Sequence, residues 1–131
     1  YHYLAWKKLA DRLGIFFDET ENEKFKGVSR HKSLELLLQS GGVSASESDF
    51  NQWMHEKNED YLNLIQDMTE DEILVDVKKV LDHLKERGQG VALGSASKNA
   101  TLILDRVALT SYFEIIIIYN FTIIHFFFLS I

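Results

Sequence analysis

Neither cysteine nor proline occurs anywhere in the 131 residues. Without cysteine there is no disulfide framework and no thiolate zinc site, which fits a reducing cytoplasmic compartment. Without proline there is no rigid linker to hold separate domains apart. Basic side chains are the minority, 14 against 20 acidic, and the resulting formal charge of −6 repels phosphate backbones. That argues against nucleic acid as a partner and requires any anion site to be local. What is present, 46% hydrophobic and 26% charged residues, is the balance of an ordinary folded domain.

The two ends stand apart from this average. The chain opens at Tyr1 without a methionine and without a charged-then-apolar leader, so it is expected to begin mid-domain. Residues Ile115 to Ile131 read IIIIYNFTIIHFFFLSI, with no acid, lysine or arginine. Three readings are open: a membrane anchor, a long buried strand, or AT-rich DNA translated out of frame or past a gene boundary. Seventeen residues are the minimum for a spanning helix, and Asn120, Thr122, His125 and Ser130 weaken it. The out-of-frame reading is preferred, with the first isoleucines still serving as a strand.

Between the ends, apolar spacing predicts a run of helices. Leu4, Leu9 and Leu13, widened by Tyr3 and Trp6, make an opening helix stopped by Gly14. A short helix from about Glu19 ends at Gly27, and a third begins on Ser29 and runs through Leu34, Leu37 and Leu38 to Gly41 and Gly42. Ser44 and Glu47 form a capping box for the longest stripe, Phe50 to Met68, predicted to be helical to about Asp67. A second box, Thr69 with Glu72, predicts a helix carrying Ile73, Val77, Val80, Leu81 and Leu84 and ending at Gly88 and Gly90. The pattern then changes. Val91 to Gly94 and Phe113 to Ile118 read as strands buried on both faces, joined by a helix with Leu102, Leu104, Val107 and Leu109, which is a βαβ unit. The fold class is therefore α/β, with a helical portion at 1–68, a partial α/β core at 69–118 and an atypical apolar tail at 119–131.

Three places carry chemistry. Ser95-Ala96-Ser97-Lys98-Asn99 lies where a strand gives way to a helix, so free N–H groups, hydroxyls and the Lys98 ammonium can converge on a phosphate. The plainer reading is that Ser97 only caps the helix. Lys24 to Lys32 is a basic clump in an acidic chain. Its Arg30, His31 and Lys32 fall in a first helical turn, where cations cost roughly 0.3–1 kcal/mol each unless an anion offsets them. Lys24 and Lys32 read as solvated charges, whereas the fixed fork of Arg30 suits a phosphate. Lys57 falls on an apolar stripe, four residues from Trp53 and four from Tyr61, and either snorkels outward or faces a cleft holding an anion. His31, His55, His83 and His125 show no metal-like spacing, so no metal ligand is assigned.

The order H-x-x-A-W-K at His2 to Lys7, K-G-V-S-R at Lys26 to Arg30, E-K-N-E-D-Y at Glu56 to Tyr61 and S-A-S-K-N at Ser95 to Asn99 resembles the β-phosphoglucomutase family of the haloacid dehalogenase-like superfamily. The resemblance runs from Tyr1 to about Glu114. It implies a helical cap on a Rossmann-like core. It also implies phosphoryl transfer between the C1 and C6 oxygens of glucose through an aspartyl phosphate, with Mg²⁺ as cofactor and β-glucose 1,6-bisphosphate as intermediate. Matched residue by residue, it gives His2 a part in coupling cap closure to acid/base work and places Trp6 in the cleft. Gly27, Val28 and Arg30 become the cap loop on the remote phosphate. Lys57 becomes a cleft-facing lysine, Ser95 the hydroxyl on the transferring phosphoryl, and Ser97, Lys98 and Asn99 the substrate loop.

The departures are as specific as the matches. The strand ending in D-x-D, with the nucleophile, would lie before Tyr1. The later core lysine and acidic pair are replaced by the isoleucine and phenylalanine run, and Val75-Asp76 stands where the family has Pro-Gly. The expectation is a fragment of a sugar-phosphate mutase, inactive as this chain and without Mg²⁺ ligands of its own. The partner would be a small sugar phosphate rather than nucleic acid or membrane, and the complete enzyme would be cytoplasmic and monomeric. The alternatives are a sugar-phosphate phosphatase of the same superfamily, which the K-G-V-S-R loop disfavours, and a non-catalytic helical module tethered by its tail to a membrane or partner.

Overall fold

The computed structural model describes residues 1–118. Four helices come first, α1 His2–Arg12, α2 Glu19–Glu23, α3 Arg30–Gly41 and α4 Glu47–Leu64. After a 3-10 turn at Glu70–Glu72 follow α5 Val77–Glu86, β1 Ala92–Ser95, α6 Ala100–Arg106 and β2 Ile115–Ile118. The tail at 119–131, and with it the choice among its three readings, lies outside the described residues.

The helical part is built around the apolar stripes of α1 and α3. Trp6, Leu9, Ala10, Leu34, Leu37 and Leu38 close on Ile15 and Phe17 from the intervening loop, and all are buried. Long α4 lies against α1, fastened at its rim by Lys8–Asp60 at 2.5 Å and Arg12–Glu56 at 2.9 Å. Gly41 ends α3 where a Cβ would stand 2.5 Å from Ile15 Cγ1, so the close approach of loop and helix requires glycine. The chain turns back immediately afterwards, with Gly42 in the left-handed region at φ +63°.

A second core of Leu81, Leu104, Val107 and Leu109 joins α5 and α6 to one face of the sheet. β1 and β2 run parallel with Ala92 opposite Ile115 and Ser95 opposite Ile118, as the βαβ reading requires. Ala5, Tyr61 and Ile65 pack with Met68 and Ile103 to join the two parts. Arg106 strengthens that joint by donating to the carbonyls of Ile65, at 2.7 Å, and Gln66, just past the end of α4.

Several local expectations are corrected. The cap of α4 is Ser46, whose Oγ accepts from the Asp49 N–H at 3.1 Å, and the helix ends at Leu64. Ser46-x-x-Asp49 is itself a capping pair, two residues after the Ser44 box. Thr69 does cap, accepting from the Asp71 N–H, but only a 3-10 turn follows before the backbone extends at Ile73. The chain becomes helical again only at Val77, after Asp76, which sits at φ +69° immediately before α5. Aspartate tolerates that left-handed conformation better than most residues, so Val75-Asp76 forms its sharp turn without the family's glycine. The second strand begins at Ile115 because Thr110–Tyr112 forms a 3-10 turn. Among the described residues the strands are covered on one face only: Leu93 and Ile116 pack into the second core, whereas Ile115 and Ile117 are 56% and 51% exposed.

Candidate functional site

Lys57 is the least ordinary side chain in the molecule. It lies on α4 between α1 and the cleft and is only 2% exposed. Its Nζ stands 4.7 Å from the Trp6 ring centroid and 5.0 Å from that of Tyr61, so the ammonium is held by aromatic faces. Among the described residues no carboxylate pairs with it. The polar contact is His2 Nδ1 at 3.0 Å, and the His2 ring in turn stacks on Tyr61 at 4.0 Å.

The electrostatics follow from this geometry. Burial, then the neighbouring Arg30 charge, lowers Lys57 to about 7. Burial, then Lys57, the terminal amine and Arg30, lowers His2 to about 3. His2 is therefore neutral at physiological pH, with Nδ1 accepting from Lys57 and the proton on Nε2. In this arrangement the imidazole orients the lysine.

Arg30 is the first residue of α3, capped by Ser29, whose Oγ accepts from the Lys32 N–H at 3.3 Å. Its Nη2 donates to Asn58 Oδ1 at 2.7 Å, and no carboxylate pairs with it among the described residues. Burial lowers its pKa, the mark of a charge denied full hydration. Lys32 and Lys24 are satisfied otherwise, on Glu35 at 2.8 Å and Glu21 at 2.6 Å, as the solvated reading expects.

Across from these, β1 ends at Ser95 and the loop to α6 folds on its own hydroxyls. The Ser97 N–H donates to Ser95 Oγ at 3.1 Å, and the Asn99 N–H to Ser97 Oγ at 3.2 Å. Ser97 thus shapes the turn, while Asn99 occupies the N-cap position of α6 without a side-chain cap bond. Asn99 Nδ2 instead donates to Asn58 Oδ1 at 2.9 Å.

His2, Trp6, Gly27, Val28, Arg30, Lys57, Ser95, Ser97 and Lys98 all line one cleft of about 1400 Å³. Nine of the ten residues singled out in the sequence are therefore brought together. Asn99 stands behind the wall, joined to it through Asn58. Asn58 itself was missed. It adjoins Lys57 in the E-K-N-E-D-Y block, but nothing in its local pattern distinguishes it from any half-buried helical amide.

The cleft suits an anion. Arg30, Lys57 and Lys98 lack acidic partners among the described residues, and Ser95 and Ser97 line the same cleft. It does not suit Mg²⁺. Glu35, already paired with Lys32, is the one carboxylate lining the cleft among the described residues, and they contain no group of three or more metal-ligating side chains.

No family model matches the chain. It is 39% identical over 119 residues to the β-phosphoglucomutase of Bacillus subtilis (strain 168), which covers 89% of this chain and 53% of that protein. The crystal structure of β-phosphoglucomutase from Clostridium difficile superposes with a TM-score of 0.84 at 38% identity, over 88% of this chain and 52% of that one. A Thermotoga maritima structure at 20% identity, covering 89% of this chain and 53% of that one, shares the fold with a TM-score of 0.56. The resemblance carried by the four sequence blocks thus extends to the backbone, and the chain is a β-phosphoglucomutase homologue of haloacid dehalogenase-like fold that spans about half the length of the curated relatives it matches.

Proposed function

We propose that this chain carries the sugar-phosphate-selecting part of a mutase that interconverts β-glucose 1-phosphate and glucose 6-phosphate. In this reading 1–68 is the cap and 69–118 a portion of the core, with the cleft between them receiving the substrate. The observation that carries it is the pairing of a buried lysine and an arginine, neither balanced by a carboxylate among the described residues, on the wall of one cleft.

Arg30, with Gly27 and Val28 shaping its loop, would hold the phosphate remote from the reaction. Lys57 would hold the sugar or its phosphate from the α4 side, with Trp6 as the apolar wall. Ser95, at the carboxyl end of β1, would meet the transferring phosphoryl, and Ser97, Lys98 and Asn99 would close the substrate loop. His2 acts here as a positioning residue, because a neutral imidazole orients Lys57. The phosphoryl would pass from an aspartate to a sugar hydroxyl oxygen as the O–P bond to the aspartate breaks and the hydroxyl proton passes to a carboxylate base of the complete enzyme. No D-x-D motif occurs within these 131 residues, so the chain alone should turn over no sugar phosphate. Mg²⁺, where the complete enzyme binds it, would neutralise charge on the transferring phosphoryl through ligands outside this set.

The phosphatase alternative differs only in water replacing the sugar as acceptor, and K-G-V-S-R favours the mutase. A membrane tether through the tail concerns residues outside those described. Among the described residues no helix is long and apolar enough to cross a membrane.

Calorimetric titration tests the reading. Glucose 6-phosphate should bind the full chain and glucose should not. Arg30→Ala should weaken binding by about tenfold or more, the worth of a charge-assisted phosphate contact. Equal affinity for glucose and glucose 6-phosphate, or turnover by the purified chain that a mock preparation lacks, would refute it.

A further inference from the structure

One oxygen ties three elements of the site together. Asn58 Oδ1, on α4, accepts from Arg30 Nη2 at 2.7 Å and from Asn99 Nδ2 at 2.9 Å. Arg30 opens α3 and Asn99 precedes α6, so this carbonyl fixes the arginine against the substrate loop. Two donors on one oxygen also fix which way the amide faces.

We propose that Asn58 is a specificity-determining positioning residue whose neutral amide aims Arg30 at the cleft without cancelling its charge. The proposal rests on the reading of the cleft as a sugar-phosphate site.

The neighbouring residues show why neutrality is the informative property. Position 58 lies within the acidic run Glu56-Lys57-Asn58-Glu59-Asp60. Two carboxylates of that run are already engaged with cations of α1, Glu56 with Arg12 at 2.9 Å and Asp60 with Lys8 at 2.5 Å. The position that meets Arg30 carries an amide instead. A carboxylate in the same place would accept the same two N–H groups and bond Arg30 more strongly. It would also make a pair of zero net charge, leaving little attraction for an incoming dianion. Asn58 thus gives up bond strength to keep Arg30 electrostatically open.

The test sets hydrogen bonding against charge in the full chain. Wild type, Arg30→Ala, Asn58→Ala and Asn58→Asp are titrated with glucose 6-phosphate, and each is melted to confirm its fold. Asn58→Asp, which retains both bonds, should melt at or above the temperature of Asn58→Ala. It should nevertheless bind glucose 6-phosphate about tenfold more weakly than Asn58→Ala, which loses the bonds to Arg30 and Asn99 but leaves the guanidinium charge unopposed. If Asn58→Asp binds as well as or better than Asn58→Ala while Arg30→Ala loses binding, the amide is merely a latch and the proposal falls alone. If Arg30→Ala binds like wild type, the proposal falls together with the sugar-phosphate reading beneath it.

Discussion

Lys57 Nζ and His2 Nδ1 lie 3.0 Å apart although 55 positions separate them in the chain, and the histidine is the lysine's polar partner inside an aromatic enclosure. A lysine held this way weakens the fold while it is charged. Burial lowers Lys57 from 10.5 to about 7, so between those values the unfolded chain binds the proton and the native one releases it. Stability must therefore rise with pH from about 7 toward 10.5 and be insensitive to this group below 7, where both states are protonated. His2, lowered from 6.5 to about 3, has the same sign and adds a second rise between those two values. Melting temperature measured from pH 7 to 9.5 should climb in wild type and climb less in Lys57→Met. At pH 7 the methionine variant should be the more stable by on the order of 1 kcal/mol, because an apolar chain replaces an unpaired buried charge. A flat wild-type profile would contradict the buried-lysine assignment.

The same lysine makes phosphate binding draw a proton from solution. An anion in the cleft favours the charged amine, so at pH 7.5, where a substantial fraction of Lys57 is neutral, binding of glucose 6-phosphate should be accompanied by proton uptake. Titrations in buffers of different ionisation enthalpy measure it directly. Uptake should vanish in Lys57→Met and diminish toward pH 6. Buffer-independent heats at pH 7.5 would show that Lys57 does not meet the ligand's charge.

Gly41→Ala should destabilise the helical part by about 1–3 kcal/mol, against the helix propensity that favours alanine by roughly 1 kcal/mol. The added methyl meets Ile15 Cγ1 at 2.5 Å and Cγ2 at 3.0 Å, near the root of a buried side chain that cannot swing aside. Ile15→Ala in the same background should recover part of the loss, and denaturant melts of the three variants would measure it.

Ala108→Gly should do the reverse. Ala108 sits at φ +53° directly after α6, where its N–H bonds to Asp105 O at 3.2 Å and the Leu109 N–H reaches back to Leu104 O at 2.9 Å. This is the terminating turn in which glycine is preferred, and alanine pays the left-handed penalty. A gain of about 0.5–1 kcal/mol in denaturant melts is expected. A loss would mean that backbone entropy of the unfolded chain outweighs the strain.

Arg30 and Lys57 were legible in the sequence because each breaks a local rule, a cation in a helix's first turn and a cation on an apolar stripe. Those violations persist in the fold as charges without acidic partners among the described residues. Asn58 breaks no rule, and its two bonds exist only once α3, α4 and the loop after β1 have met. The helices were legible from spacing and caps, but the Thr69 box looked like a helix start. The backbone instead extends at Ile73 and turns left-handed at Asp76 before α5 begins, which nearby composition does not announce. The apolar runs and the helix between them specify a parallel pair of strands, but an apolar run does not distinguish one covered face from two. Burial depends on what the rest of the chain lays over a strand, and here α5 and α6 supply one layer.

Because Trp6, His2 and Tyr61 enclose Lys57 while Asn58 meets Arg30, α4 works as a ruler whose marks cannot be respaced. At 18 residues it extends about 27 Å. One inserted residue before position 57 would turn everything after it by about 100°, carrying the amine out of its enclosure and the amide off the guanidinium together. The loop between Gly42 and Ser46 carries no side chain with such a paired obligation. Changes in length should therefore be tolerated before α4 and forbidden within it, a pattern that a library of single-residue insertions scored for folding and phosphate binding would display as a silent zone ending abruptly at the helix.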